Sequence, residues 1–157
     1  MSTPLRWTIT PGPERTEVAL SGSLDEWADL DALFDQLPPR AAVALDLSQV
    51  RRISSVGVRV WIVFLEKLKA HDMPVRLLGC SVVIVRQLNM ISQFRGHGEV
   101  RSAYAPYYCA RCNKEQLRLI ELSADDTTQL RQPMACPTCG DPIELDEDLG
   151  LYTELQA

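Results

Sequence analysis

Hydrophobic and polar positions in the first part of the chain form two short alternating segments and one longer helical pattern. The alternation at residues 5–9 and 14–20 predicts two β-strands joined by a Pro-Gly-Pro turn. Apolar residues, Trp27 among them, then recur at helical spacing over residues 24–37, where two prolines end the pattern. Ser23 is followed by a glutamate three residues later, which is a capping-box pattern. We therefore expect this helix to begin at Ser23.

The next segments alternate between strand-like and helix-like patterns. A continuous apolar run at residues 41–45 predicts a strand buried on both faces, residues 74–78 predict another strand, and residues 100–104 predict a last one. The pattern predicts helices over residues 56–70 and 81–91, the second with its first serine as N-cap. Because strands and helices alternate, we expect an α/β fold with a mostly parallel sheet and helices packed against it.

The segment from Val43 to Gly57 is the most informative part of this half of the chain. Its apolar strand pattern ends near Asp46, a polar stretch follows, and Ser54 and Ser55 precede the long apolar helix. Loops between strand ends and helix starts often carry function in α/β domains. A serine there either caps the helix or accepts a phosphate that lies near free backbone N–H groups.

Charge divides the chain near residue 104. Residues 105–157 contain four basic and ten acidic residues, whereas the whole chain has a net charge of −5. An acidic segment repels nucleic-acid phosphates, so we expect no nucleic acid as partner. No apolar run is long enough to span a bilayer, and the first residues lack the pattern of a secretory signal. We therefore expect a cytoplasmic protein without membrane insertion.

Four cysteines in the acidic segment form two C-x-x-C pairs with 23 residues between the pairs. A C-x-x-C turn directs two sulfurs to one ion, and four thiolates match the tetrahedral geometry of structural zinc. Asn113 and Gly140 follow the two pairs and tolerate the left-handed backbone of such turns. We expect a structural Zn²⁺ in a four-cysteine zinc ribbon at 105–157, after an α/β domain at 1–104. The four ligands are Cys109, Cys112, Cys136 and Cys139.

Other interpretations of these cysteines stay open at this point. Two disulfides or a thioredoxin-like redox site would use the same residues, although the absence of a secretory signal disfavours disulfides. A zinc ribbon binds nucleic acid, binds protein or only stabilises a fold. Cys80 is expected to be a buried apolar residue, Leu117–Leu122 and Leu151–Leu155 short strands, and His71 and His97 solvated. No catalytic arrangement of side chains is evident, so we expect a non-enzymatic protein.

Three motifs in residues 5–104 resemble the STAS domain, which is found in anti-sigma-factor antagonists and in the soluble tails of sulfate transporters. The motifs are Leu20-Ser-Gly-Ser-Leu-Asp25, Val43-Ala-Leu-Asp-Leu-Ser-Gln-Val50 and Ile53-Ser-Ser-Val-Gly-Val58. The resemblance implies a STAS-like mixed, mostly parallel sheet with helices packed on it. It also implies a regulatory protein whose partner is an anti-sigma factor kinase or a larger signalling assembly.

The resemblance further implies a partner-binding loop when the third motif is aligned on its glycine. Val56 then stands where phosphorylatable family members carry the modified hydroxyl, and Ser54 stands where the family usually has aspartate. Ser55 is the remaining candidate for phosphorylation, and we expect the usual switch to be missing. The predicted partner-binding residues are Asp25, Ser54, Ser55, Val56, Gly57 and Arg59.

Two alternative functions belong to different classes. Some STAS proteins that serve as accessory subunits of ABC-type lipid transporters also lack a hydroxyl before the glycine, as this chain does at Val56. A zinc-ribbon nucleic-acid-binding module is the other alternative, and the acidic segment disfavours it.

Overall fold

Residues 3–122 and 130–156, which the computed structural model describes, form two β-sheets and five α-helices. The first sheet contains β1 (Arg6–Thr10), β2 (Thr16–Leu24), β3 (Val43–Ile53), β4 (Val75–Leu78) and β5 (Glu99–Val100). The second contains β6 (Ser102–Cys109), β7 (Lys114–Glu121), β8 (Met134–Ala135) and β9 (Pro142–Leu145). The helices are α1 (Leu30–Gln36), α2 (Ser55–Ala70), α3 (Val82–Met90), α4 (Ser92–Arg95) and α5 (Gly150–Thr153), and a 3₁₀ turn (Glu154–Gln156) follows α5.

The first sheet is mixed and mostly parallel, with strand order β1-β2-β3-β4-β5. Only β1 runs antiparallel to its neighbour, and the pairs from β2 to β5 are parallel. Leu45 and Leu77, in the two central strands, are completely buried, as expected when helices cover a parallel sheet. Trp61 of α2 is also buried, and its indole N–H donates to the carbonyl oxygen of Phe94 at 2.9 Å. The predicted α/β fold class is confirmed.

The second sheet is antiparallel, with strand order β7-β6-β9-β8, and it carries the four clustered cysteines. It is joined to the first sheet at Cys80, which follows β4. The amide of Cys80 donates to Ser102 O at 3.0 Å, and the amide of Tyr104 donates to Cys80 O at 2.8 Å. β6 itself runs through residue 104, the position at which the charge pattern predicts a domain boundary.

Helix α5 and the residues just before it contact both α3 and the second sheet. Arg86 of α3 pairs with Glu147 at 3.1 Å, and the Asn89 amide donates to Leu151 O at 2.9 Å. Tyr152 is fully buried and its hydroxyl donates to Tyr104 O at 2.8 Å. The buried side chains of both sheets form one hydrophobic core.

Three sequence predictions for the segments around β2 and β3 are wrong, and the first two fail because β2 and β3 pair further than the sequence pattern indicates. β2 continues to Leu24 because it pairs in parallel with β3 up to Ile53, so Ser23 is a buried strand residue rather than a helix cap. The polar stretch after Asp46 is likewise strand, because β3 extends to Ile53 in parallel pairing with β2 and buries Leu47 and Val50. α1 begins at Leu30, and Trp27, outside any helix, is 80% exposed.

The structure differs from the predictions at four further places. Residues 151–155 are helical rather than a strand, since they pack as α5 and a 3₁₀ turn against α3. The last predicted strand is divided at Arg101 between β5 and β6 of different sheets. Ser81 precedes α3 but its hydroxyl donates to Val50 O instead of capping the helix. His97 is half-buried, with Nε2 2.8 Å from Met73 O.

None of the helices in residues 3–122 and 130–156 has both the length and the apolar character needed to cross a membrane.

Candidate functional site

The connection from β3 to α2 is a single capping residue, Ser54. Its backbone is extended, and its Oγ accepts a hydrogen bond from the Gly57 amide at 3.0 Å. Its own amide donates to Leu24 O at 2.9 Å, which ties the start of α2 to the end of β2. The hydroxyl of Ser54 therefore serves the helix N-terminus, as Ser at an N-cap does.

Gly57 is required by the close approach of α2 to the end of β2. A Cβ at this position would overlap the carbonyl group of Leu24 and lie 2.9 Å from the amide nitrogen of Asp25. Gly57 itself is buried. The first turn of α2 thus rests directly on the backbone that leads into Asp25.

Asp25 is buried next to this contact. One of its carboxylate oxygens accepts a hydrogen bond from the amide of Trp27 at 2.9 Å. This bond turns the chain sharply after β2 and leaves the Trp27 side chain in solvent. Asp25 therefore shapes the loop beside the α2 N-terminus.

The remaining predicted residues lie on the solvent-facing side of the first turns of α2. Ser55, Val56 and Arg59 are all exposed, and 42% of Val56 is accessible to solvent. Val56 and Arg59, together with residues after β2, border a surface groove of about 320 Å³. The residues that line the groove are Ala28, Asp29, Leu30, Asp31, Val56, Arg59, Val60, Val63 and Phe64.

Sequence reasoning missed part of this surface. Val63 is 55% exposed, and it lies seven residues after Val56 on the same side of α2, with Val60 between them. Such i, i+4, i+7 spacing is normally a sign of a buried helix face. Trp61, Phe64, Leu65 and Leu68 form the buried face instead, and the three valines form a second apolar stripe beside it. The signal available in the sequence was a second apolar stripe on α2, in addition to the residues needed for its buried face.

The four predicted metal ligands come together at one end of the second sheet. Their sulfurs all lie within 4.8 Å of one another, with Cys109 Sγ 3.6 Å from Cys139 Sγ and Cys112 Sγ 3.9 Å from Cys136 Sγ. A tetrahedral zinc ion with Zn–S bonds of about 2.3 Å separates its sulfurs by about 3.8 Å. The cluster therefore has the dimensions of a zinc site with four cysteine ligands.

Each C-x-x-C pair folds into a tight turn with the predicted left-handed residue. Asn113 has φ of +54° and Gly140 has φ of +80°. Apart from its two chain neighbours, no atom of the described residues lies within 4 Å of a Cβ built on Gly140, so its backbone angle, rather than lack of space, favours glycine. Arg111 pairs with Asp141 at 3.3 Å across the two turns.

Thiol acidity within the cluster is uneven. Backbone N–H groups of Cys139 and Thr138 donate to the sulfur of Cys136 and lower its pKa to about 6. The neighbouring sulfur of Cys139 and burial raise the pKa of Cys112 to about 12. A metal that binds all four sulfurs must therefore displace the Cys112 proton at neutral pH.

Cys80 lies apart from the cluster, and its predicted burial is confirmed. Its side chain is completely buried at the end of β4, and burial raises the pKa of its thiol to about 12. It packs as a small apolar residue in the shared core.

Comparison with known proteins gives likenesses to solved structures alone. No family model and no curated protein matches the chain. Among solved structures, the chain is similar to an anti-sigma factor antagonist from Mycobacterium paratuberculosis, with 22% sequence identity and a TM-score of 0.44. The likeness covers 64% of this chain and 89% of that chain.

Proposed function

We propose that this chain is a non-enzymatic regulatory module that binds a protein partner through the α1–α2 surface. We use this name for the groove between α1 and α2 together with Asp25, Ser54, Ser55 and Gly57. The three sequence motifs that resemble the STAS domain support this class of function. By that resemblance the partner is an anti-sigma factor kinase or a larger signalling assembly.

The observation that carries the proposal is the second apolar stripe of α2. Val56 and Val63 remain about half exposed although the neighbouring face of the helix already fills the core. Exposed apolar side chains that cluster on one surface, with charged residues at the rim, are typical of protein interaction sites. Here the rim is formed by Asp29, Asp31 and Arg59.

The same geometry argues that binding does not depend on the usual phosphorylation switch. Val56 has no hydroxyl, and the hydroxyl of Ser54 accepts the capping hydrogen bond from Gly57. Ser55 is exposed and would accept a phosphate without disturbing the core. We therefore keep Ser55 as the candidate modification site of this surface.

We also propose that Cys109, Cys112, Cys136 and Cys139 hold a structural Zn²⁺. The sulfur separations and the two left-handed turns support this assignment. Bound zinc would fix the end of β6 against the turn that precedes β9. The division of the chain at residue 104 remains a prediction based on charge and motif content.

The test is affinity capture from cells of the source organism, followed by reconstitution with the purified partner. Val56→Asp and Val63→Asp place a charge in the apolar stripe, and we expect each to weaken binding at least tenfold. Ser55→Ala should bind like the wild type. Leu119→Asp, on the second sheet, is the matched control and should keep full affinity. Equal binding by the wild type and both valine variants would refute the proposed surface.

A further inference from the structure

β7 is an edge strand with unusual side chains. It pairs with β6, and no strand of the described residues pairs with its other side. Leu117 and Leu119 are 53% and 48% exposed, although apolar residues of this size are normally buried. An edge strand also presents unpaired N–H and C=O groups to solvent. β7 therefore offers a second strand both backbone partners and apolar contacts.

The side chains on this face of β7 follow a symmetrical pattern. Glu115, Leu117, Leu119 and Glu121 are all exposed and, at alternate positions, point to the same side of the sheet. Along the strand, this face therefore presents an acidic, an apolar, an apolar and an acidic residue, and the order is the same in both directions. Glu144 of β9, opposite Tyr108 of β6, adds a further exposed carboxylate.

A groove of about 380 Å³ borders the same face. Leu117 and Tyr104 line one wall, and residues at the start of α3, including Val82 and Val83, line another. Arg51 also borders the groove, and its guanidinium donates to Gln49 at 3.4 Å.

We propose that β7 binds an extended segment of another protein by strand addition. The segment carries basic, apolar, apolar and basic residues at four alternate positions. Its backbone would pair with the free edge of β7, its apolar residues would cover Leu117 and Leu119, and its basic residues would face Glu115 and Glu121. Main-chain hydrogen bonds supply affinity in such complexes, and alternate side chains supply specificity. This site is separate from the α1–α2 surface.

A second copy of this chain fits β7 less well than a basic segment does. In an antiparallel pair of two β7 strands, the register that brings Leu117 opposite Leu119 also brings Glu115 opposite Glu121. Like charges directly opposite one another destabilise a strand pair. The net acidity of residues 105–157 adds to this repulsion. Charge complementarity therefore favours a basic partner.

The proposal can be tested with labelled peptides and the intact zinc-loaded chain. The first peptide has lysine, valine, valine and lysine at alternate positions with threonines between them, and the second has glutamates in place of the lysines. By fluorescence anisotropy we expect the lysine peptide to bind about tenfold more tightly than the glutamate peptide. N-methylation of the peptide's backbone amides that face β7 should abolish binding. N-methylation of the peptide's remaining backbone amides, which point away from β7, should preserve binding.

Variants of the chain separate this proposal from nonspecific attraction. Replacing Glu115, Glu121 and Glu144 with lysine should reverse the preference between the two peptides, and the triple change to glutamine should remove it. Leu117→Asp should weaken both peptides, whereas Val56→Asp on α2 should leave binding unchanged. Equal binding of both peptides, or no effect of the amide methylation, would overturn the proposal. A wild-type dimer in sedimentation equilibrium that Leu117→Asp dissociates would also overturn it.

Discussion

The amide nitrogen of Gly57 lies 3.0 Å from the hydroxyl oxygen of Ser54, and this bond closes the first turn of α2. Ser55, the next residue, is exposed at the first position of the helix. The two adjacent serines therefore differ in role, because one is structural and the other is available for modification.

Replacing the capping serine should cost stability, whereas replacing its neighbour should not. We expect Ser54→Ala to lower the free energy of unfolding by about 1 kcal/mol, because the Gly57 amide loses its acceptor. Ser55→Ala should change it by less than about 0.5 kcal/mol, as surface substitutions usually do. Urea denaturation followed by circular dichroism measures both. A larger loss for Ser55→Ala would contradict these roles.

Gly57→Ala should destabilise the chain more strongly than the loss of the cap. A methyl group at this position overlaps the Leu24 carbonyl, so α2 must shift away from β2. We expect a loss of about 1–3 kcal/mol, the range for overpacked sites. Gly140→Ala is the control, since its Cβ would meet no atom of the described residues beyond its two chain neighbours and only its positive φ opposes alanine. Its cost should be about 1 kcal/mol. A Gly57→Ala variant as stable as the wild type would show that α2 can shift freely.

Zinc should bind with a stoichiometry of about one ion per chain and should leave the site on acidification. Cys112, with its pKa raised to about 12, releases a proton on binding at any pH below that value. Cys136, with its pKa lowered to about 6, is already a thiolate at neutral pH but is protonated below about 6. The apparent zinc affinity should therefore fall more steeply with decreasing pH below 6 than above it.

Competition with a chromophoric chelator across this pH range measures the zinc affinity. Cys136→Ser should lower zinc affinity by at least tenfold, whereas Cys80→Ala should retain one zinc per chain because Cys80 lies outside the cluster. Freshly reduced wild-type protein that binds no zinc would rule out the metal site.

Two buried tyrosines should respond in opposite ways to loss of the hydroxyl. The Tyr107 hydroxyl has no hydrogen-bond partner among the described residues, whereas the Tyr152 hydroxyl donates to Tyr104 O. Tyr107→Phe should leave stability unchanged or raise it by about 1 kcal/mol, because an unsatisfied buried polar group is removed. Tyr152→Phe should lower stability by about 1 kcal/mol, because an acceptor loses its donor. Thermal unfolding of the pair gives the comparison directly.

Features that depend on nearby residues were predictable from the sequence. α2 was predicted within one residue, since its length, its apolar content and the preceding serines all lie in one segment. The cysteine cluster was predictable for a similar reason, because each C-x-x-C pair folds through its own turn and left-handed residue. Once α2 is assigned, the positions of the residues around Gly57 at its N-terminus can be predicted as well.

Features that depend on distant pairing were not predictable in this way. The capping-box pattern at Ser23 is local, but no helix starts there because β2 pairs in parallel with β3 through this residue. Arg51 and Arg52 made the end of β3 resemble a loop, because register shifts in its pairing with β2 interrupt the alternation of buried and exposed residues expected of a strand. The exposed stripe of α2 could be recognised only after its neighbouring face had been assigned to the core.

A single residue, Arg101, separates the last strand of the first sheet from the first strand of the second. Because this connection is a single residue, a protein bound at β7 and a protein bound at α2 could not move independently of each other. Their mutual distance would be set by the fold itself. Two proteins bound at the proposed α1–α2 surface and at β7 would be held at a fixed spacing, because the shared core and the contacts between α3 and the C-terminal segment also join the two sheets.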